Sequence, residues 1–437
     1  KLVIDMILLR WRLTGLGQNL NRIATFSCRH TSSLCSLSSS ICPRTTNTKS
    51  RMVSGSKRNI RCSSSTRILE RFPIAVRDAC LCDMCIDPHS GQKNFKTTDI
   101  PLQIRARDIK LASKGIEIEW SCDIPGFESH KSYISHEVFS SILSSNPSEN
   151  LNLVLWNQIK LADNFPSLQF DYNEYLGQQN LLYQVVSKLK TWGIVFITGA
   201  PLHEKAVENI ALRLGPIRNS FYGETWDVKS IPQAKNVAYT DKFLGLHQDL
   251  LYMENPPAIQ LLHCIENSCK GGKSLFSDGF KAAIGLSIDD YNVLSREKIS
   301  YHYQKDEQNY QYSHPVIENS LERRNLNAVP IPSAINYSPP FQAPFSIATR
   351  NIDISEFVRS LKNFTEGAES SENIFEYNLK PGDCVIFNNR RVFHGRSAFE
   401  AQTGKRRLRG CYIDHDVLLS RSRVLQKVFS DSQSEGA

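Results

Sequence analysis

The sequence predicts a mainly β protein, a β-sandwich or small barrel with flanking helices, preceded by a small N-terminal unit of mixed α and β structure. After residue 215 the chain consists of short apolar segments bounded by turn residues, and helical periodicity interrupts them only near 284–297 and 353–364. At 437 residues with 41% hydrophobic content, the chain is also long enough for two folded units.

The first 66 residues form a basic tail that we set apart from the folded protein. Residues 1–69 hold twelve of the 52 Lys and Arg residues but only one of the 44 acids, Asp5, which leaves 40 basic and 43 acidic residues in the rest. This tail is rich in Ser and Thr, a composition typical of a mitochondrial transit peptide, and a generic disordered basic tail is the alternative. We therefore expect a mitochondrial protein, with a cytoplasmic location as the alternative. The near-neutral remainder argues against nucleic-acid binding, and no apolar run reaches the roughly 20 residues of a membrane-spanning helix.

Residues 67–145 are expected to form the N-terminal domain. In GIEIEWSCDIPGF, isoleucines alternate with glutamates, which predicts a strand that ends in a Pro-Gly turn. The segment SHEVFSSILSSNPSEN predicts a short helix that runs into a polar linker near 145–150. We therefore place the domain boundary there and the second domain at 146–430.

The second domain begins with helices and continues as strands. In NLLYQVVSKLKTWG, apolar residues recur at helical spacing up to Gly193, and EKAVENIALRLG is a second amphipathic helix that ends at Gly215. The segment IVFITGAP lies between them and predicts a strand. Further predicted strands are NVAYT, AIQLLHCI, KSLFSDGF, FSIAT, CVIFNN and RLRGCYI.

His247 and Asp249, in GLHQDLLYMENPP, have the spacing of a metal-binding pair, although two polar loop residues would look the same. A facial site of two histidines and one carboxylate needs a second histidine from a distant strand. His394, in FNNRRVFHGRSAF, follows the apolar segment CVIF and lies 147 residues beyond His247. Strand pairing in a β-sandwich would bring them together, so we predict a metal site formed by these three residues.

The last predicted strand carries a candidate anion-binding arginine. In KRRLRGCYI, strand alternation places Arg406 and Tyr412 on one face and Arg407 on the other. An inward-facing Arg406 would hold a dicarboxylate through its bidentate guanidinium. An ordinary basic surface strand is the alternative.

Five segments together resemble the γ-butyrobetaine dioxygenase and trimethyllysine dioxygenase family, which is TauD-like: HQD at 247–249, PPAIQLLHCI at 256–265, GGKSLFSDGF at 271–280, NNRRVFHGR at 388–396 and RRLRGCY at 406–412. The resemblance extends from about Phe72 to Leu425. It implies a double-stranded β-helix (jelly-roll) catalytic domain and an enzyme that uses Fe(II), the co-substrate 2-oxoglutarate and dioxygen, with ascorbate as reductant. It also implies a homodimer.

The resemblance assigns roles to the candidate residues. His247, Asp249 and His394 are the implied iron ligands, and Arg406 is the implied partner of the distal carboxylate of 2-oxoglutarate. The segment between His394 and Arg406 is one residue shorter than in the animal enzymes, so Arg407 stays the alternative.

A trimethylammonium cage is implied by the same resemblance. Tyr222, Trp226, Tyr239 and Tyr412 match its four aromatic residues, which bind a quaternary cation by cation–π attraction, although each alone would pass for a core aromatic. Asn236 matches the γ-butyrobetaine branch, where the trimethyllysine branch has an acid. The implied reaction is hydroxylation of γ-butyrobetaine at C3 to L-carnitine, with succinate and CO2 as co-products. Trimethyllysine dioxygenase is one alternative, and a catalytically inactive, zinc-bearing binding module is an alternative of another class.

A cysteine cluster in the N-terminal domain has the spacing C-x-C-x-x-C and is formed by Cys80, Cys82 and Cys85. It is close enough to give three thiolates to one structural zinc ion, and a redox pair or an iron–sulfur ligand set is the alternative. The family resemblance implies His130, in ESHKSY, as the fourth ligand. His89 and Cys122 are nearby substitutes.

Three further polar residues are interpreted more simply. His263 lies inside the apolar segment QLLHCI and is expected to be a hydrogen-bonded core residue, and Asp383 is expected to stabilise a turn. Asn336, in INYSPP, is a candidate substrate contact.

Overall fold

The computed structural model describes residues 69–143, 153–229, 240–305, 307–319, 329–345 and 353–434. The predicted transit peptide, the predicted linker near 145–150, the predicted strand NVAYT up to residue 239 and the predicted strand FSIAT after residue 345 lie outside these residues. The chain divides into two compact units, one that ends at Ile134 and one that begins at Ser135. The helix that the sequence assigned to the N-terminal domain therefore falls in the second unit. No helix of the described residues is long and apolar enough to cross a bilayer.

The N-terminal unit contains a short helix and a three-stranded sheet. Helix α1 spans Pro73–Asp78, and the sheet has the order β1 (Arg105–Ala112), β2 (Gly115–Ser121), β3 (Lys131–Ser135). The predicted strand is β2, where Ile116 and Ile118 are buried while the glutamates between them are not fully buried. Trp120 donates its indole N–H to the Ser132 hydroxyl, at 2.8 Å, and so links β2 to β3.

Nine helices of the described residues belong to the second unit: α2 (His136–Leu143), α3 (Gln158–Asn164), α4 (Tyr172–Gly177), α5 (Gln179–Trp192), α6 (Lys205–Leu214), α7 (Gly279–Ile284), α8 (Ile288–Arg296), α9 (Ile354–Glu369) and α10 (His415–Ser434). The predicted amphipathic helix is α5, whose apolar face is buried. It ends where Gly193 takes a left-handed conformation with φ of 77°, a position that favours glycine.

The strands of this unit are β4 (Gln169–Asp171), β5 (Ile194–Thr198), β6 (Thr225–Lys229), β7 (Leu244–His247), β8 (Ile259–Asn267), β9 (Lys270–Gly271), β10 (Ser274–Asp278), β11 (Lys298–Lys305), β12 (Gln308–Pro315), β13 (Ile317–Asn319), β14 (Pro332–Ile335), β15 (Phe375–Tyr377), β16 (Cys384–Asn388), β17 (Val392–Arg396), β18 (Phe399–Glu400) and β19 (Arg406–Ile413). The two largest sheets have the orders β4-β5-β16-β8-β19-β6 and β15-β10-β17-β7. Three two-stranded pairs, β11-β12, β13-β14 and β18-β9, complete the described sheets.

Eight strands follow the path of a jelly roll. Strands β6, β8, β16 and β19 lie in the larger sheet, and β7, β10, β15 and β17 lie in the smaller one. Taken in chain order, these eight strands change sheet at every step except from β10 to β15. The jelly-roll architecture expected for the catalytic domain is therefore confirmed in the second unit.

The space between the two sheets is filled with apolar side chains. Phe276 of the smaller sheet and Phe387 of the larger one meet edge to face, with ring centroids 5.8 Å apart. Strands β5 and β16 are buried on both faces, because helices cover the outer side of the larger sheet. This explains why IVFIT and CVIF have no polar alternation.

A buried ion pair fixes the start of β17. Arg391 donates from Nε to one carboxylate oxygen of Asp278, at 2.9 Å, and from a terminal nitrogen to the other, at 2.8 Å. Its remaining donors bind the carbonyls of Thr191 and Val154. Both charged side chains are almost completely buried. Because Asp278 is also directly opposite Val392, this pair sets the register of the strand that carries His394.

Candidate active site

The three predicted metal ligands lie together at one end of the jelly roll. His247 is the last residue of β7 and pairs directly with His394 on β17, and Asp249 follows two residues after His247. The imidazole centroids are 4.2 Å apart. One ligand atom from each of the three residues lies within 4.8 Å of the other two, which is the compact donor set that a facial metal site requires.

Hydrogen bonding orients the imidazole of His247, and burial sets the charge of His394. His247 donates its Nδ1 proton to the Gly245 carbonyl at 2.9 Å, and its Nε2 atom faces Asp249 Oδ1 at 3.4 Å. Burial, together with the neighbouring His247, lowers the pKa of His394 to about 3. His394 is therefore a neutral donor at any physiological pH.

Asp249 is held as an ionised carboxylate by its neighbours. Its Oδ2 atom accepts hydrogen bonds from the Gln260 amide and from the Tyr412 hydroxyl, both at 2.8 Å. Burial raises the pKa of Asp249, but hydrogen bonds from His247 and Tyr412 and the nearby imidazoles outweigh this effect and hold it well below its usual range. Sequence reasoning missed Gln260, whose only signal is a polar residue in the otherwise apolar segment AIQLL.

Asn389 was also missed, and it fixes the turn that carries Asp249. Its side-chain oxygen accepts the Asp249 N–H at 2.9 Å, and its amide donates to the carbonyls of Asp249 and Pro257. Gln248 adds two further bonds, from its amide to the Asn389 carbonyl and from the Tyr337 N–H to its oxygen. Leu250, the next residue, has a φ of +62°, so the turn is held in a conformation that non-glycine residues rarely adopt.

Arg406 is a buried cation of strand β19. Its exposed fraction is 7%, its Nε atom has no hydrogen-bond partner, and no acid among the described residues forms an ion pair with it. Its guanidinium lies 5.8 Å from the ring centroid of Phe399, whose ring also contacts Arg396, at 4.8 Å. A buried cation of this kind calls for an anionic ligand.

Arg407, the alternative, is bound elsewhere. It forms an ion pair with Asp227 at 2.8 Å and another with Glu204, on the half-exposed side of β19. The alternation expected for this strand agrees with the burial of Arg406 and Tyr412 and with the partial exposure of Arg407. Of the two arginines, Arg406 is therefore the one without an ion-pair partner among the described residues.

The described aromatic candidates do not form one stack. The ring of Trp226 packs on that of Tyr412, with centroids 5.1 Å apart, whereas Tyr222 packs on Phe221 at 4.1 Å and on Tyr303 at 6.3 Å. Asn236 and Tyr239 lie outside the described residues. Sequence reasoning missed Tyr303, whose ring packs on that of Tyr222 and which is one of the alternating tyrosines in YHYQK on β11.

A glycine makes room for the indole. Gly410 is directly opposite Trp226 in the pairing of β19 with β6, and a Cβ atom at this position would lie 2.4 Å from the Trp226 ring. The indole therefore lies against the backbone of Gly410, with its ring centroid 5.1 Å from that of Tyr412.

Three other polar residues were interpreted from sequence as structural or as a substrate contact. Asn336 is fully buried and binds Arg390, Glu318 and the Pro315 carbonyl, so its side chain is committed to the fold and the expectation of a substrate contact gains no support. Asp383 accepts the Lys380 N–H and so stabilises its turn.

His263 is a core residue, as expected, but it is not hydrogen bonded: neither ring nitrogen has a partner in the described structure. Burial lowers the pKa of His263 to about 4, so the ring stays neutral. The neutral imidazole therefore packs in the core of the larger sheet as an apolar side chain would.

The N-terminal unit contains the second predicted metal cluster. The ligand atoms of Cys80, Cys82, Cys85 and His130 all lie within 4.8 Å of one another. His130 Nε2 faces the sulfurs of Cys80 and Cys85 at 3.4 and 3.3 Å. The two substitutes, His89 and Cys122, are exposed and do not belong to the cluster.

A carboxylate orients the histidine of this cluster. His130 Nδ1 lies 2.9 Å from Asp123 Oδ2, and Arg77 binds the other oxygen of Asp123 at 2.7 Å. Metal-binding histidines are commonly held by a carboxylate in this way. Burial, with the neighbouring Cys80, raises the pKa of Cys85 to about 12, and a bound dication would reverse this by deprotonating the thiol.

Comparison with known proteins agrees with this geometry. Residues 158–412 match the family described as taurine catabolism dioxygenase TauD, TfdA family, a span that includes all three candidate iron ligands and Arg406. Dioxygenase str8 of Strobilurus tenacellus is 36% identical over 377 residues, which cover 82% of this chain and 86% of that protein.

Two further relatives are more distant. Gamma-butyrobetaine dioxygenase of Homo sapiens is 28% identical over 363 residues, which cover 80% of this chain and 90% of that protein. The mitochondrial trimethyllysine dioxygenase of Bos taurus is 26% identical over 365 residues, covering 80% of this chain and 81% of that protein. The match extends through the jelly roll, the His-Asp-His set and the buried Arg406, and the chain therefore belongs to the TauD/TfdA family of iron- and 2-oxoglutarate-dependent dioxygenases.

Proposed function

We propose that this dioxygenase hydroxylates γ-butyrobetaine at C3 to give L-carnitine, with succinate and CO2 as co-products. The observation that carries the proposal is an aromatic pair, Trp226 and Tyr412, in contact with the carboxylate of Asp249 through the Tyr412 hydroxyl. A quaternary ammonium has no N–H to donate and is held best by aromatic faces. Two dioxygenases that act on trimethylammonium compounds, by their names, are relatives over most of this chain.

His247, Asp249 and His394 are the residues that hold Fe(II) in this proposal. Their donor atoms fit the ion, since two imidazole nitrogens and one carboxylate oxygen converge within 4.8 Å. When bound, the iron supplies the position at which dioxygen and 2-oxoglutarate react, so that 2-oxoglutarate is decarboxylated while a substrate C–H bond is hydroxylated. Ascorbate serves as the reductant that keeps the iron ferrous.

Arg406 anchors 2-oxoglutarate by its distal carboxylate. Its burial excludes competing water, and the absence of an acidic partner in the described structure leaves its donors available for a bidentate pair. Burial lowers the pKa of Arg406, but a guanidinium in a protein remains charged. The bound anion would neutralise a cation that the fold itself leaves uncompensated.

The substrate would be positioned by the aromatic residues. Tyr222, Trp226, Tyr239 and Tyr412 are proposed to surround the trimethylammonium group, and fixing this end directs C3 toward the metal. Asn236 is proposed to favour γ-butyrobetaine, which lacks the amine of trimethyllysine. Trimethyllysine is the alternative substrate.

We further propose that Cys80, Cys82, Cys85 and His130 bind a structural zinc ion. The support is the convergence of the four ligand atoms and the orientation of His130 by Asp123. Zinc would stabilise a unit whose own apolar core is small. Import into mitochondria and assembly as a homodimer are proposed on the tail composition and the family resemblance alone.

The test is a product analysis on the full chain supplied with Fe(II), ascorbate and 2-oxoglutarate under air. One reaction receives γ-butyrobetaine and another trimethyllysine, and mass spectrometry identifies the products. We expect carnitine and an equal amount of succinate in the first reaction and neither in the matched Asp249→Ala variant, which lacks a metal ligand.

Each other outcome is informative. Hydroxytrimethyllysine alone would establish the alternative substrate and overturn our assignment of the pocket. Succinate without either hydroxylated product would point to a different substrate of the same enzyme. Succinate no higher than in the Asp249→Ala variant would favour the inactive binding module.

A further inference from the structure

We propose that Tyr412 and Gln260 are positioning residues that hold Asp249 so that it offers a bound metal ion one oxygen only. This inference rests on the proposed metal site, and it gives the Tyr412 hydroxyl a role distinct from that of its ring. Tyr412 would then serve two groups at once, with its ring facing the substrate and its hydroxyl on the metal ligand.

The contacts of the carboxylate carry this inference. The Tyr412 hydroxyl and the Gln260 amide both donate to Oδ2 of Asp249, each at 2.8 Å. A carboxylate oxygen accepts two hydrogen bonds readily, so both acceptor directions of Oδ2 are occupied. The other oxygen, Oδ1, lies 3.4 Å from the ligating nitrogen of His247 and accepts no hydrogen bond from either residue. Oδ1 is therefore the atom left for a metal.

The sheet keeps the two donors in place. Tyr412 and Gln260 are directly opposite each other in the pairing of β19 with β8, and their exposed fractions are 2% and 1%. The Trp226 ring packs against Tyr412 on its other side. Rotation of the phenol or the amide would take a donor away from the Asp249 carboxylate, which is costly at a buried charge.

The backbone of Asp249 is fixed independently. Asn389 binds both its N–H and its carbonyl. With the main chain anchored and Oδ2 occupied, the carboxylate has one orientation. The metal ligand is thus preorganised before the ion arrives.

A single coordinating oxygen matters for the reaction. An ion held by three protein ligands would keep further positions for the co-substrate and dioxygen. A carboxylate that bound through both of its oxygens would take up one more of these positions. By occupying Oδ2, Tyr412 and Gln260 would limit Asp249 to a single coordinating oxygen and leave that position open.

The test separates the hydroxyl of Tyr412 from its ring. Tyr412→Phe removes only the hydroxyl and keeps the packing on Trp226, while Gln260→Met removes the amide and keeps the side-chain length. Co(II) is titrated into each full-length variant in the absence of any substrate, with calorimetry for affinity and visible absorption for coordination number. Tyr175→Phe is the matched control, since it deletes another buried tyrosine hydroxyl, which binds the Ile210 carbonyl.

We expect each of the two variants to weaken Co(II) binding by about 10- to 100-fold, the range typical for loss of a group that orients a metal ligand. We also expect a changed Co(II) spectrum in both, and neither effect in the control. Wild-type affinity and an unchanged spectrum in both variants would overturn the positioning role while leaving the proposed metal site intact. Failure of the wild-type protein to bind Co(II) would instead overturn the proposed function on which the inference depends.

Discussion

Replacing Arg406 by Met should have opposite effects on stability and on co-substrate binding. The guanidinium is 7% exposed, and none of the described acids forms an ion pair with it. In the protein without 2-oxoglutarate it is a buried charge whose desolvation is uncompensated, so a methionine of similar length removes a cost. With 2-oxoglutarate, the same substitution removes the only buried cation that we assign to its distal carboxylate.

The magnitudes follow from this burial. Loss of one partner of a buried, hydrogen-bonded charge pair costs about 2–5 kcal/mol, so the KM for 2-oxoglutarate should rise roughly 30-fold to several thousandfold. The ligand-free protein should become more stable by about 1 kcal/mol, which raises the Tm by about 1–2 °C. Arg407→Met is the control, because that arginine binds Asp227 and Glu204 on the half-exposed side of the strand.

The assays are 2-oxoglutarate turnover to succinate at varied co-substrate concentration and thermal unfolding without ligand. Arg407→Met should leave the KM unchanged and lower stability by no more than about 1 kcal/mol, as is usual for partly exposed ion pairs. A normal KM in Arg406→Met together with a raised KM in Arg407→Met would refute our assignment. A lowered Tm in ligand-free Arg406→Met would show that the guanidinium is compensated within the fold.

Three further outcomes are expected. Elemental analysis should give one zinc equivalent per chain for wild-type protein and none for Cys85→Ser, whereas Cys122→Ser, at an exposed position outside the cluster, should keep the zinc. Asp278→Asn should lower the free energy of unfolding in urea by about 3–5 kcal/mol, because it leaves the charge of Arg391 buried without a counter-ion, and a loss below about 1 kcal/mol would contradict that account. Gly410→Ala should raise the KM for the cationic substrate about tenfold, because the added Cβ would lie 2.4 Å from the Trp226 indole. The KM for 2-oxoglutarate should stay unchanged. Equal changes in both constants would indicate a general distortion of the site.

The parts of the fold that sequence could predict depend on short-range patterns. Helical spacing located α5 and its end at Gly193. Strand alternation correctly predicted that Arg406 is buried and that Arg407 lies on the other, partly exposed face. The boundary between the units was harder to predict from sequence, because the helix at His136–Leu143 directly follows β3 with no linker between them. The unit to which this helix belongs is decided by its tertiary contacts, which the local sequence pattern does not show.

The residues that sequence missed act over long separations. Asn389 binds the backbone of Asp249, which is 140 residues away, and nothing in FNNRR distinguishes this asparagine from an ordinary turn residue. Gln260 was hidden because a single polar residue in an apolar strand does not indicate what it contacts. Tyr412 was found, but for its ring, since the pattern of a strand shows the face of a side chain and not the partner of its hydroxyl.

His247 and His394 are 147 residues apart but pair directly across β7 and β17. The segments that connect the intervening elements can therefore change in length, whereas the register of β7 against β17 cannot. A one-residue slip in either strand would turn its histidine to the opposite face, whereas an insertion in a connecting segment leaves the pair untouched. Gly395 tightens this constraint, since a Cβ there would lie 2.7 Å from the Leu244 carbonyl of the neighbouring strand. Enzymes of this architecture can therefore acquire new substrates by growing or trimming the chain between the two histidines, without rebuilding the metal site.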